Sequence, residues 1–177
     1  MSNLHILEVT LSQYLCLMTT TEIALKMLFD RWNASIKNFD EVLQTLSDAT
    51  LELEIAPGKN RGIYLLGHMI AVHDEMLILL DMGEKLYPWL YIPFEVSPDR
   101  AVSEIPTAAE LRKCWTEQCA VLKQKFSDMP AEGWFEKHTK ISAEDFVKEP
   151  HRNKLNIILT RTTHLAHHTG QLLLLKR

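Results

Sequence analysis

Apolar side chains recur at helical intervals along four long stretches of the chain, and polar or proline-bearing segments separate them. In the first, residues 21–46, a stripe runs from Ile23 and Leu25 through Phe29, Trp32, Ile36 and Phe39 to Leu43 and Leu46. Thr19 to Thr21 offer N-caps, and Glu22 stands in the first turn, where the helix dipole favours an acid. A second helix is expected over residues 63–82, with Gly83 as its stop. Thr107, with Glu110 three residues on, is a capping box that opens a third. Its stripe is Leu111, Trp115, Cys119, Leu122 and Phe126, and it should end near Met129-Pro130. The fourth runs from about Arg152 to the terminus through Leu155, Ile158, Leu165 and Leu172.

The intervening segments shape the topology. Pro88, Pro93, Pro98 and Pro106 punctuate residues 87–106, which reads as a long crossover connection and not as a helix. Its aromatics Tyr87, Trp89, Tyr91 and Phe94 could cover the mouth of a site, but they more simply seal the edge of a bundle. Residues 131–150 are polar with few apolar anchors and are expected to form a short β-excursion or an irregular loop. The fold class that results is all-α: one four-helix bundle over residues 18–177, with the long crossover between its second and third helices. Residues 1–17 are either an upstream extension or a short additional helix.

Composition narrows the function classes. A chain of 177 residues that is 46% hydrophobic and 24% charged suits one globular domain. The net charge of −4, with both signs interspersed, gives no basic footprint for nucleic acid and no polybasic membrane anchor. The N-terminus lacks the pattern of a secretion signal, and His68, His73, Asp74 and Glu75 interrupt the most apolar internal stretch, so no membrane span is expected. Cys16, Cys114 and Cys119 form neither a CxxC motif nor an even set, which fits a reducing cytoplasm. Cys114 and Cys119 read as core or partly buried thiols. Serine-hydrolase, P-loop and dinucleotide fingerprints are absent from the sequence.

The candidate chemistry is carried by histidines. His164 and His168 are four apart, so on a helix they lie about 40° apart around the axis and one turn along it, near enough to share an ion. His68, on another amphipathic segment, could face them across the core and complete three neutral nitrogen ligands, leaving a fourth position open. The plainer alternative is that these are core histidines held by hydrogen bonds. Leu165 stands where a zincin would carry its glutamate, so a thermolysin-like protease is disfavoured. Glu75, seven residues past His68 and on its face, is the candidate base or orienter, or else an exposed carboxylate; His73 and Asp74 point elsewhere. His167 lies about 100° from His168 and should be beside the site or exposed. Gln171, one turn after His168, could support it or be a surface amide. Gly170 costs roughly 1 kcal/mol of helix propensity relative to alanine, which suggests close approach of another backbone.

Leu66-Gly67-His68 and the closing His164-x-x-x-His168-x-Gly170-Gln171 resemble the DinB/YfiT-like family of metal-binding four-helix bundles, over roughly residues 18–177. By motif position the resemblance implies His68, His164 and His168 as the metal ligands. Thr169 departs from the arginine commonly found there, which puts one anion-binding or helix-pairing contact in doubt. The family resemblance implies a divalent ion, Zn²⁺ or Ni²⁺, that activates water, as in a hydrolase, or a thiol, as in an S-transferase, on a small substrate. The alternative it leaves is a non-enzymatic, stress-related metal-binding or interaction protein. It also implies a homodimer formed through the first and fourth helices.

Overall fold

The structure, a computed structural model, describes residues 18–176; both readings of residues 1–17 lie outside the described residues. Four long helices dominate: α1 (Thr20–Thr45), α3 (Gly62–Leu79), α4 (Ala108–Asp128) and α6 (Lys154–Leu173). Short helices α2 (Asp48–Leu51) and α5 (Ala143–Lys148) fill connections, and no strand occurs among the described residues. Helix α1 packs on α6, α6 on α3 and α3 on α4. The ring closes where Trp115 of α4 meets Phe39 and donates its indole N–H to Asp40 of α1 at 2.6 Å.

Local sequence explains the ends of these elements. Thr19 and Glu22 form a reciprocal capping box at α1, and Thr107 and Glu110 form another at α4, so two orphan N–H groups are satisfied at each start. Helix α3 ends earlier than expected, at Leu79, because Asp81 already takes a left-handed conformation (φ 59°) ahead of Gly83 (φ 119°). Asn153 caps α6 by accepting from the Asn156 N–H.

Helix α3 is the central element. Fourteen of its 18 residues are buried, among them Leu65, Leu66, Met69, Ile70, Met76 and Leu77. Each such side chain contributes roughly 1.5–3 kcal/mol of transfer free energy. Neighbours on every side explain why α3 is long and apolar enough to cross a membrane: its surface is spent on the bundle core.

The connection from α3 to α4 differs from the extended crossover expected. It contains a 3₁₀ turn, Pro88–Leu90, and a π-helical turn, Ile92–Val96. Pro88 and Pro93 occupy the first positions of these turns, where a missing N–H costs nothing, so the prolines start short helices rather than excluding them. The aromatic seal is also narrower than the sequence suggests. Leu90 and Phe94 are fully buried, whereas Trp89 and Tyr91 are exposed.

Four residues of α3 or its cap fasten this connection. Asp74, buried, accepts from the N–H groups of Leu86 (2.8 Å) and Tyr87 (2.7 Å) and from the Gln118 amide (3.2 Å). Arg61 grips Asp99 in a bidentate pair, with contacts of 2.7 and 3.1 Å to one carboxylate oxygen. The Tyr64 hydroxyl donates to the Ser97 carbonyl at 2.8 Å. Gly67 admits the Phe94 ring: a Cβ there would stand 2.4 Å from two ring atoms.

Residues 131–150 are a further correction. They form a 3₁₀ turn, Ala131–Phe135, and helix α5, with an isolated bridge between Lys137 and Asn153 in place of a β-excursion. The signal was present in Ser142, whose hydroxyl accepts from the Asp145 N–H as an N-cap. Its helix has no buried residue and so no apolar stripe to reveal it.

Candidate metal centre

The three predicted histidines converge between α3 and α6. One ligand atom from each of His68, His164 and His168 can be chosen so that all three lie within 4.8 Å of one another. His164 Nε2 is 2.8 Å from His168 Nε2 and 3.4 Å from His68 Nε2. Two imidazole nitrogens on a tetrahedral ion, each about 2.05 Å from it, would be roughly 3.3 Å apart. A small opening of the His164–His168 pair therefore accommodates a divalent ion.

The far side of each ring tests that fit. His68 Nδ1 is 2.8 Å from the Phe94 carbonyl oxygen and 3.5 Å from a Glu95 carboxylate oxygen. His168 Nδ1 is 2.7 Å from the Gln171 side-chain oxygen. Each contact places the ring proton on Nδ1, where it is donated to oxygen, and leaves the Nε2 lone pair for an ion. The Phe94 carbonyl is available because it belongs to the last turn of a short helix, where carbonyls lack intrahelical partners. The chain of causes runs from Gly67, which lets the Phe94 ring in, to the Phe94 carbonyl, and from there to the orientation of His68. The buried Nδ1 of His164 has no hydrogen-bond partner among the described residues.

Electrostatics favours the ligating form. Burial first, then the nearby charges of His168, His68, Arg161 and His167, lowers the His164 pKa to about 4. Burial also lowers His168 to about 4, against the Gln171 hydrogen bond, which raises it. Both rings are therefore neutral at neutral pH, as a metal ligand must be.

The other expectations divide. Gln171 supports the site, and His167 is exposed. Glu75 is engaged by Lys85 at 2.5 Å and Lys140 at 2.7 Å, and it is not within ion-pair distance of the three histidines. Burial would raise its pKa, but the hydrogen bonds from Lys140 and Lys85 outweigh that and hold it below the ordinary value. Among the described residues, Glu95 is the carboxylate within 4 Å of these rings. Among the described residues no backbone approaches Gly170: a Cβ there would meet nothing within 4 Å, and the residue is exposed. Thr169 is buried and donates to the Leu165 carbonyl at 2.7 Å, so its position carries a helix-internal hydroxyl and no charge. Cys114 is a buried free thiol and Cys119 a partly buried one.

Sequence reasoning passed over two residues beside the site, Glu95 and Arg161, and named His73 only as pointing elsewhere. His73 is fully buried between the rings of Trp32 and Trp115, with neither nitrogen hydrogen-bonded. Burial pushes its pKa down to about 3. Glu95 gives no motif, because a loop residue has no helical period to place it. Arg161, one turn before His164, has a buried Nε without a partner; only the i, i+3 relation to His164 could have drawn notice to it.

A helical bundle with three imidazole nitrogens converging between two of its long helices defines a class of protein able to bind a metal ion. A family profile described as the DinB superfamily matches residues 31–172, and the chain belongs to that superfamily. The fold is also that of a solved structure described as the conserved protein of locus from Enterococcus faecalis, at a TM-score of 0.62 and 16% identity. That likeness covers 90% of this chain and 96% of the other. None of the curated proteins compared with the chain matches it significantly.

Proposed function

We propose that the protein is a metal-dependent enzyme in which His68, His164 and His168 hold a divalent ion, Zn²⁺ or Ni²⁺, and act on a small substrate. The observation that carries this reading is the convergence of three Nε2 atoms while the Nδ1 atoms of His68 and His168 are tied to oxygen acceptors. An ion on three neutral ligands supplies Lewis-acid activation of water, for hydrolysis, or of a thiol, for S-transfer. An all-histidine donor set suits several metals. The chain's own part is to fix the tautomers of His68 and His168 through Phe94 and Gln171.

Elemental mass spectrometry on protein purified without a metal column tests the site. The native chain is expected to carry close to one divalent ion, and His164→Ala to lose it. The loss of affinity should be at least the roughly hundredfold that removal of a supporting group alone can cost. A native chain that stays empty after incubation with Zn²⁺, Ni²⁺ and Mn²⁺ would remove the reading. Stoichiometric metal without turnover in hydrolytic or thiol-transfer screens would favour the non-enzymatic alternative.

Glu75 enters the proposal as a candidate base only if Lys85 and Lys140 release it. Glu75→Gln should retain the metal, and unchanged turnover in that variant would exclude it as the base.

The same reading takes the protein to be cytoplasmic and a homodimer through α1 and α6. Ile23 and Met27 on α1, and Leu159 and Leu173 on α6, are exposed apolar residues on these two packed helices. Gly170 and Ala166 add a smooth, exposed strip on α6. A monomeric mass in solution would remove this part of the proposal.

A further inference from the structure

Arg161 stands one turn before His164 on α6, so its side chain rises from the same face of the helix as the three-histidine cluster. The side chain is half-buried, and its buried Nε has no hydrogen-bond partner among the described residues. Among the described residues no carboxylate lies within 4 Å of its guanidinium and no side chain or carbonyl accepts from it. Burial lowers its pKa, while the carboxylates of Glu95 and Glu75 act back on it from a distance. Its charge is in turn felt by His164 and by His73.

Arg161 is partly exposed, and a guanidinium N–H withdrawn from water without an acceptor is costly, because the lost hydration is not replaced. The surrounding charges do not remedy this. Glu75 is already paired with Lys85 and Lys140, and Glu95 is exposed and stands against His68. Three neutral imidazoles leave a divalent ion its full charge, and Arg161 adds another positive charge beside it. The face between α3 and α6 is thus built for a ligand that brings negative charge with it, and a planar fork of N–H donors fits an oxyanion in bidentate fashion.

We propose that Arg161 is the substrate-recognition residue of this site, and that the substrate carries an oxyanion, a carboxylate or a phosphate, beside the group that reaches the histidines. This inference rests on the metal reading above. It extends that reading from a site open to any small molecule to one that selects anionic ones.

The test compares two small thiols on Co²⁺-loaded protein, read by the change in visible absorption when a thiolate reaches the ion. One probe is 3-mercaptopropionate, which carries a carboxylate; the other is 2-mercaptoethanol, which is neutral. The native protein should bind 3-mercaptopropionate at least roughly tenfold more tightly, the scale expected when a charged group accepts the hydrogen bonds. Arg161→Gln should lose that preference while keeping its Co²⁺ content and its affinity for 2-mercaptoethanol, and Arg161→Lys should retain part of it. Competition by inorganic phosphate against acetate then tells a phosphate-selecting fork from a carboxylate-selecting one. Equal binding of the two thiols by the native protein, or a preference that survives in Arg161→Gln through chelation by the probe itself, would overturn the inference. Failure to take up Co²⁺ would instead overturn the metal reading, so the two failures are distinguishable.

Discussion

Asp74→Ala is expected to destabilise the fold by roughly 3–5 kcal/mol, the scale of breaking a buried hydrogen-bonded charge. The Asp74 side chain is 1% exposed, and it is the acceptor for two successive backbone N–H groups, Leu86 and Tyr87, and for the Gln118 amide. Alanine leaves the two backbone donors facing a space that water does not readily reach, while the Gln118 amide keeps its bond to the Ile70 carbonyl at 3.0 Å. The loss falls on the junction where the connection leaves α3, so the 3₁₀ turn at Pro88–Leu90 should loosen with it. Asp74→Asn should recover only part of the loss, because one side-chain oxygen would be replaced by a donor facing a donor. Urea unfolding followed by circular dichroism measures both variants. A change below about 0.5 kcal/mol for alanine, the size of an ordinary surface effect, would show that the connection is held chiefly by Arg61, Tyr64 and Phe94.

The second large effect is expected at Gly67, where two opposing terms can be weighed. Alanine in mid-helix should gain up to about 1 kcal/mol over glycine from propensity. Against this, its Cβ would lie 2.4 Å from two atoms of the Phe94 ring, which is fully buried. Overpacking of this kind costs about 1–3 kcal/mol, so the net should be a loss of stability. The more diagnostic consequence concerns the metal. Displacing Phe94 moves the carbonyl that accepts from His68 Nδ1, and losing such a support lowers metal affinity by about 10–100-fold. Gly67→Ala combined with Phe94→Leu should restore stability and part of the affinity, since the smaller side chain gives the methyl room. Metal affinity measured by competition with a chromophoric chelator reads the effect. An unchanged affinity in Gly67→Ala would separate the packing of Phe94 from the orientation of His68.

These two residues show where reading the chain succeeded and where it stopped. The helical stripes and capping boxes located four long helices to within a few residues, because period and cap chemistry are local properties. His164 and His168 were legible as a pair for the same reason: four residues on one helix fix their separation. Helix α5 was missed although Ser142 announced it, since six residues with no buried face leave no period to detect.

By itself the sequence determined the all-α class, the extents of the long helices and the His164–His168 pair, which follow from spacing along one chain, while His68 was marked by the resemblance of its Leu-Gly-His motif. Tertiary structure alone decided which acceptors orient His68, that Asp74 is an anchor, that Glu75 is held by two lysines, and that the Arg161 Nε is buried without an acceptor among the described residues. Each of these depends on residues far apart in sequence meeting across α3, and a helical period states only which face a residue occupies, not what stands opposite. Gly67 belongs to both: the motif marked it, but only the ring of Phe94 against its Cα explains why no side chain fits there.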